Sequence, residues 1–316
     1  MGSSLRMMRV VDSHTAGQPT RVVVDGGPHL GEGSLKERLN RFRTSHDRFR
    51  SIVVGEPRGS DALVGALLCP PTDPSCTTGV IFFDSTGYLG MCGHGIIGLI
   101  ATLEYLGLIK GVGSHRIETP VGVVTAELHA SGDVSIQNVA SFRHRANVAI
   151  NVNASTQFTG DVAWGGNWFF LVNDHSEDLS FGRVERLTEV TRSIRDALTR
   201  DGITGANGEK IDSVALFGPP LRRDARSRNF VLRFGKAYGR SPCGTGMSAK
   251  LACLFEDGVL AEKENWRQES IVGTVFDGSV DVIDGVIRPT VRGSAYVTAE
   301  ATLIIDERDP LSWGIN

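Results

Sequence analysis

Two cysteines stand where a sulfur can do more than pack. Cys92 lies in Met91-Cys92-Gly93-His94-Gly95, after the apolar run Gly79-Val80-Ile81-Phe82-Phe83 and before Ile96, Leu99, Ile100, Leu103 and Leu106 at helical spacing. This order, strand then loop then helix, predicts Cys92 at a helix N-terminus. Unpaired N–H groups and the positive end of the helix dipole favour a thiolate there, and can also hold an anion. The same unit returns at Arg240-Ser241-Pro242-Cys243-Gly244-Thr245-Gly246, after Asn229-Phe230-Val231-Leu232 and before Met247, Leu251, Leu254 and Phe255. A single Cys-Gly carries little information. Its repetition implies two similar halves facing one cleft, which suits a reaction that moves a proton from one face of a carbon to the other.

Taking the α-proton of an amino acid is difficult, because the carbon acid is weak and the carbanion forms beside a carboxylate. N–H donors at the two helix starts would hold that carboxylate in a site closed to water, where electrostatic contacts count for more. One thiolate takes the proton while a thiol on the opposite face returns one. A free cysteine has a pKa of about 8.5, within reach of such tuning. His94, two residues after Cys92, is placed to help the thiol or to bind the carboxylate; the plainer alternative is a local hydrogen bond.

Rival uses of the sulfurs fit less well. A disulfide needs the two Cα atoms within about 7 Å, which leaves no room for a substrate between them. A zinc site wants ligands in close pairs, and neither cysteine has a Cys-x-x-Cys partner, so no metal is expected. Redox sensing would explain a reactive thiolate but not two glycine-flanked helix starts. Cys69, Cys76 and Cys253 read as packing or loop residues.

The surrounding elements follow from pattern. Residues 8–15 and 18–24 read as strand, polar turn and strand, with His14 and Thr15 at the turn. Residues 33–50 read as one helix with a polar outer face, and Arg41, Arg43, Arg48 and Arg50 as its solvated charges. Ala163-Trp164-Gly165-Gly166-Asn167-Trp168-Phe169-Phe170 suits a tight turn into a buried strand, with a pocket wall as the other reading. Leu187, Val190, Ile194 and Leu198 predict an amphipathic helix ended by Gly202. From residue 271 onwards, short strands separated by Asp-Gly and Gly-Ser turns are expected. A change from helical to alternating pattern near residue 125 marks the expected boundary between halves.

The chain of 316 residues is long enough for two domains, and a net charge of −3 argues against general nucleic-acid binding. The partner expected is a small amino or imino acid. Five cysteines, an odd number in a chain too long to need staples, suggest reduced thiols. No apolar run approaches the roughly 20 residues that span a bilayer, and Met1-Gly2-Ser3-Ser4-Leu5-Arg6 lacks a secretion-signal core. Cytoplasmic residence without membrane attachment is expected, and a homodimer is left open.

With these residues in view, the sequence resembles the proline racemase family, and within it the 4-hydroxyproline 2-epimerases. The resemblance lies in Asp12-Ser13-His14-Thr15, Glu56-Pro57-Arg58-Gly59-Ser60-Asp61, the two cysteine motifs, the Ala163 to Phe170 stretch and Ala295-Tyr296-Val297-Thr298-Ala299-Glu300-Ala301-Thr302. It implies an α+β fold of two pseudo-symmetric domains, each a barrel-like sheet around a central helix. The expected halves are residues 1–124, completed by about 298–316, and residues 125–297. The resemblance also implies no cofactor, Cys92 and Cys243 as the two bases, and Gly93, His94, Gly244 and Thr245 as carboxylate binders. A cysteine at both positions favours epimerisation over 3-hydroxyproline dehydration; proline racemase, 3-hydroxyproline 2-epimerase and a binding or thiol-sensing homologue stay as alternatives.

Three positions depart from the family pattern. Gly239 stands four residues before Cys243, where the family carries an Asp that meets the ring nitrogen. Ser213 stands near the usual His, and Met247 where Thr is common. The Gly239 side of the pocket is therefore expected to be roomier and less acidic.

Overall fold

The computed structural model describes residues 5–211, 213–233 and 237–315. The chain's first four residues, on which the sequence reading also drew, lie outside them. The chain divides into two compact units, Met1–Ile136 with Ser294–Asn316, and Gln137–Gly293.

In the first unit a hairpin of β1 (Leu5–Thr15) and β2 (Gln18–Asp25) leads to α1 (Leu35–Ser45) and α2 (Arg48–Val54). Then come β3 (Val64–Cys69), β4 (Thr78–Asp84), the short β5 (Gly87–Leu89), α3 (Gly93–Tyr105), β6 (Gly113–Thr119), β7 (Gly122–Leu128) and β8 (Asp133–Gln137). The second unit contains β9 (Phe142–Asn153), β10 (Thr156–Trp164), β11 (Trp168–Asp174), α4 (Val184–Arg200), β12 (Ser213–Gly218), β13 (Ser227–Leu232), α5 (Gly244–Glu256), β14 (Trp266–Ser270) and β15 (Val275–Ile283). A long last strand, β16 (Val286–Asp306), pairs with β15 by its first part and with β1 by its last.

Each unit repeats one pairing pattern. In the first, the end of β16, then β1, β2, β3, β4, β6, β7 and β8 pair in turn antiparallel, antiparallel, parallel, antiparallel, parallel, antiparallel, antiparallel. In the second, β9, β10, β11, β12, β13, β14, β15 and the start of β16 follow the same series. Each parallel step needs a crossover, and helices supply it: α1, α2 and α3 in one unit, α4 and α5 in the other. The fold is thus α+β and pseudo-symmetric. In this register α3 and α5 are equivalents.

Both equivalents are buried on nearly every side, as helices apolar all round must be. Ile96, Ile97, Leu99, Ile100 and Leu103 of α3 are almost wholly buried, with β1, β2, β3 and β7 around the helix. α5 buries Met247, Leu251 and Ala252 among β9, β10, β11 and β15. Gly98 lets α3 lie close to the sheet: a Cβ there would stand 3.0 Å from Ser13 Oγ and 3.2 Å from Thr15 Oγ1. Amphipathic α4 packs Leu187, Val190, Ile194 and Leu198 into the second unit's core, and Gly202 follows it at φ +65°.

The structure departs from local pattern in three places. Residues 33–50 do not form one helix, because the chain breaks at His46 (φ −133°, ψ 13°) and restarts as α2. The break turns Arg50 inward onto Asp47 and the carbonyls of Asp84 and Ser85, while Arg48 covers the Trp313 ring at 3.8 Å. These arginines are therefore packed rather than merely solvated. Gly293-Ser294 is not a turn but lies within β16, where a Cβ at 293 would overlap the Phe276 ring. The change of pattern near residue 125 lies inside β7, and the units part at 136/137 because β7 pairs with β6 and β8.

Among the described residues, the second unit holds a deeply buried ion pair. Arg228 on β13 meets Glu269 on β14 at 2.6 Å, and its other donors reach the carbonyls of Leu179 and Ile271. The second Glu269 oxygen accepts from the N–H groups of Leu221 and Arg222. Removing one partner leaves a buried charge uncompensated, so Glu269→Ala is expected to lower stability by about 3–5 kcal/mol. Urea denaturation of the two proteins side by side measures this. Among the described residues, no helix is long and apolar enough to cross a membrane.

Candidate active site

Cys92 caps α3 in extended conformation (φ −144°, ψ 107°), and its carbonyl accepts the first helical bond, from Ile96 N–H at 2.9 Å. The thiol is nearly buried. Its sulfur lies 3.4 Å from His94 Nδ1 and 3.6 Å from Nε2, while Thr15 Oγ1 donates to the His94 carbonyl at 2.8 Å and fixes the first turn. Cys92, Gly93 and His94 are thus brought together at one helix start, as the spacing implied. The neighbouring Gly95 is required sterically: a Cβ there would come within 2.6 Å of the Phe82 ring and 3.2 Å of Cys92 Cβ.

Cys243 caps α5 in the second unit, with Gly244 and Thr245 as the first residues of the helix. Met247 N–H closes onto its carbonyl at 2.7 Å. Its backbone differs from that of Cys92, since φ is +64° and ψ 96°. A side-chain-bearing residue held there costs on the order of 1–3 kcal/mol. The loop is held against that strain by Asn229, which donates to the Pro242 carbonyl at 2.7 Å, and by Ser241 Oγ, 3.4 Å from Cys243 N. Gly246 mirrors Gly95, three residues after its cysteine: a Cβ would lie 3.0 Å from the Phe169 ring and 3.3 Å from Cys243 Sγ.

Burial pushes the Cys243 thiol up from its ordinary value. The N–H of Gly246, the hydroxyl and N–H of Thr245, and the charge of Arg233 all pull the other way. These are the groups that would stabilise a sulfur anion at a helix start. Desolvation alone would leave the thiol inert, so the opposing donors decide how readily it gives up a proton. By contrast, Cys69 is pushed by burial to about 11 and Cys253 to about 12, as befits packed thiols.

Supporting residues tie the β10–β11 turn to the α5 start. Asn167 Nδ2 donates to Thr245 Oγ1 at 3.2 Å, and Asn138 Nδ2 bonds both the Gly165 carbonyl and Ser248 Oγ. The Trp-Gly-Gly-Asn-Trp turn therefore abuts Thr245 as well as entering the core. Neither Asn138 nor Arg233 was marked by sequence, since each acts through a contact distant along the chain or through charge. Ser213 opens β12 and is buried, and Met247 is wholly buried. Gly239 is open to a side chain, for a Cβ there would meet only Arg233 Cγ and Cδ and the Val231 carbonyl, each at 3.7 Å. Among the described residues, no group of three or more His, Cys, Asp or Glu side chains is placed to hold a metal ion.

Comparison with known proteins bears on this arrangement. A 4-hydroxyproline epimerase of Burkholderia cenocepacia (strain HI2424) is 52% identical over 311 residues, covering 98% of this chain and 99% of that protein. A 4-hydroxyproline 2-epimerase of Acinetobacter baumannii (strain AYE) is 51% identical over the same coverage. Among solved structures, a hydroxyproline epimerase from Agrobacterium vitis with bound trans-4-hydroxy-L-proline superposes with a TM-score of 0.87 at 23% identity, covering 100% of this chain and 96% of that one. A PhzF-family phenazine biosynthesis protein from Bacillus anthracis superposes at 0.66 and 14% identity, covering 94% and 98%, so the fold extends beyond epimerases named for hydroxyproline. The proline racemase family matches residues 10–316, and with half-identical relatives along almost its whole length, this chain belongs to that family.

Proposed function

We propose that this protein epimerises trans-4-hydroxy-L-proline to cis-4-hydroxy-D-proline at Cα, with Cys92 and Cys243 as the two bases. The observation that carries the reading is the equivalence of the two thiols: each caps the central helix at the same step of a repeated topology. Inversion at a carbon requires one acid/base group on each of its faces, and a pair of equivalent thiols supplies them without a cofactor. In this reading the N–H groups of Gly93, His94, Gly244 and Thr245 hold the substrate carboxylate, as helix starts do for anions. Charge growing on the carboxylate during proton removal strengthens those bonds, which lowers the barrier. The half-identical relatives named for 4-hydroxyproline support that substrate over proline. All five cysteines are free, which supports a reducing compartment such as the cytoplasm for the enzyme.

Proton NMR of trans-4-hydroxy-L-proline in D2O with freshly reduced enzyme tests the reading. Loss of the Cα proton signal together with growth of the cis-D diastereomer is expected. Turnover of L-proline with none of the 4-hydroxy compound would move the assignment to a proline racemase. Dehydration of trans-3-hydroxy-L-proline, or no exchange with any of the three, would sink it.

A further inference from the structure

An open cavity of about 930 Å³ lies in the first unit, where β2 runs out towards α1. The loop of residues 25–33 forms one wall and the end of β3 with Pro70, Pro71 and Thr72 another; among the described residues, neither cysteine motif takes part. Arg38, one turn into α1, also lines the cavity and is only 8% exposed. The capping box of Ser34 and Glu37 fixes the start of α1, and so the place of Arg38. Its Nη1 donates to the Pro70 carbonyl at 2.6 Å, but its Nε is buried without a partner. Among the described residues, no carboxylate pairs with this guanidinium. Glu118, which reaches the same wall, is taken up by the N–H groups of Thr72 and Asp73 and by the Thr72 hydroxyl. A buried charge without a counter-charge is costly, and a buried donor without an acceptor is uncommon in a folded protein.

The repeat within the chain shows what an arginine at this place binds. α4 crosses between the parallel strands β11 and β12, as α1 and α2 cross between β2 and β3. Arg186 of α4 stands almost as far along the chain from Asp174, the end of β11, as Arg38 does from Asp25, the end of β2. Its Nε and Nη2 both donate to Glu177, in the loop that leads into the helix, at 3.3 and 2.8 Å. Arg21, Arg50 and Arg267 grip Asp12, Asp47 and Asp277 by the same two nitrogens. Three residues beyond β11 the chain supplies Glu177, whereas three residues beyond β2 it has Pro28. We propose that the cavity is a binding site for a small monocarboxylate with an apolar body, its carboxylate held by the Nε–Nη2 edge of Arg38. Two parallel N–H donors match the two oxygens of a carboxylate. Val23, Leu30, Leu67 and Leu68 offer apolar surface to the rest of the ligand. Asp25 and Glu32 are exposed on the cavity wall, and their charges disfavour a doubly charged anion such as phosphate. The site is independent of the reaction assigned to the two thiols.

Calorimetric titration of the full-length protein with sodium 4-methylpentanoate tests the site in wild type, Arg38→Met and Arg38→Lys, with 4-methylpentanamide and inorganic phosphate as comparison ligands. The carboxylate is expected to bind wild type, and Arg38→Met to weaken that binding about ten- to a hundredfold, the range for losing hydrogen bonds to a charged group. Arg38→Lys keeps the charge without the planar fork and is expected to bind less tightly than wild type. The neutral amide is expected not to bind. The carboxylate should also raise the thermal denaturation midpoint of wild type but not of Arg38→Met, since a ligand held only by the folded state stabilises it. No carboxylate binding by wild type overturns the proposal, as does a dissociation constant unchanged in Arg38→Met or in Arg38→Lys. Tighter binding of phosphate overturns the ligand class. Binding that trans-4-hydroxy-L-proline displaces belongs to the cysteine site and overturns the assignment to this cavity. Arg38→Met exchanges an unpaired buried charge for an apolar chain of similar length, so the variant is expected to fold, which near-ultraviolet circular dichroism verifies.

Discussion

Cys92→Ser and Cys243→Ser are each expected to reduce epimerisation by about a hundred- to ten-thousandfold, the range for loss of one positioned acid/base group. A serine hydroxyl is far too weak an acid to ionise near neutral pH, so the helix start would have no anion to stabilise. The two variants should not fail in the same way. If one thiol serves each face of Cα, the thiol left in each variant can still remove a proton and return deuterium on its own face. Cys92→Ser should then wash deuterium into one configuration of the substrate without inverting it, and Cys243→Ser into the mirror configuration. Proton NMR in D2O, run from both diastereomers, reads exchange and inversion together. A variant that inverts at the wild-type rate would remove that cysteine from the mechanism, and exchange of the same configuration by both variants would point to a single base.

Gly165→Ala is expected to be the most damaging change that touches neither cysteine. A Cβ at 165 would overlap the Thr245 carbonyl oxygen and come within 2.6 Å of Ala249 N, and both are backbone atoms of α5 that no rotamer change can move aside. The helix start must shift, taking Gly244, Thr245 and the Cys243 cap with it. Overpacking of this kind costs about 1–3 kcal/mol of stability. A displacement near 1 Å at a reacting group costs on the order of a hundredfold in rate. Thermal denaturation and kcat/KM measured on the same preparation separate the two effects. A kcat/KM within twofold of wild type, in a folded variant, would show that the β10–β11 turn does not set the position of the Cys243 loop.

Gly166 provides the contrast. It lies next in the same turn at φ +101°, and a Cβ there would meet Thr245 Cγ2 at 3.3 Å, a side-chain atom with some freedom to yield. Its substitution is costly chiefly through backbone strain, whereas that of Gly165 acts through direct displacement of the helix.

The sequence by itself determined the parts whose causes are local. Apolar spacing after each cysteine, the glycines three residues beyond, and the strands before them placed Cys92 and Cys243 at two helix starts, because helix and strand periodicity and glycine chemistry act within a few residues. The α4 helix and the turn before Trp168 were legible for the same reason. What only the tertiary structure decided depends on groups far apart in the chain. The split of residues 33–50 into α1 and α2 answers to packing of Arg50 and Arg48 against Asp84, Ser85 and Trp313. The unbroken β16 runs through Gly293-Ser294 because the Phe276 ring needs a neighbour without a side chain. The left-handed backbone of Cys243 is imposed by the surrounding loop, and no single-residue preference would announce it in a cysteine.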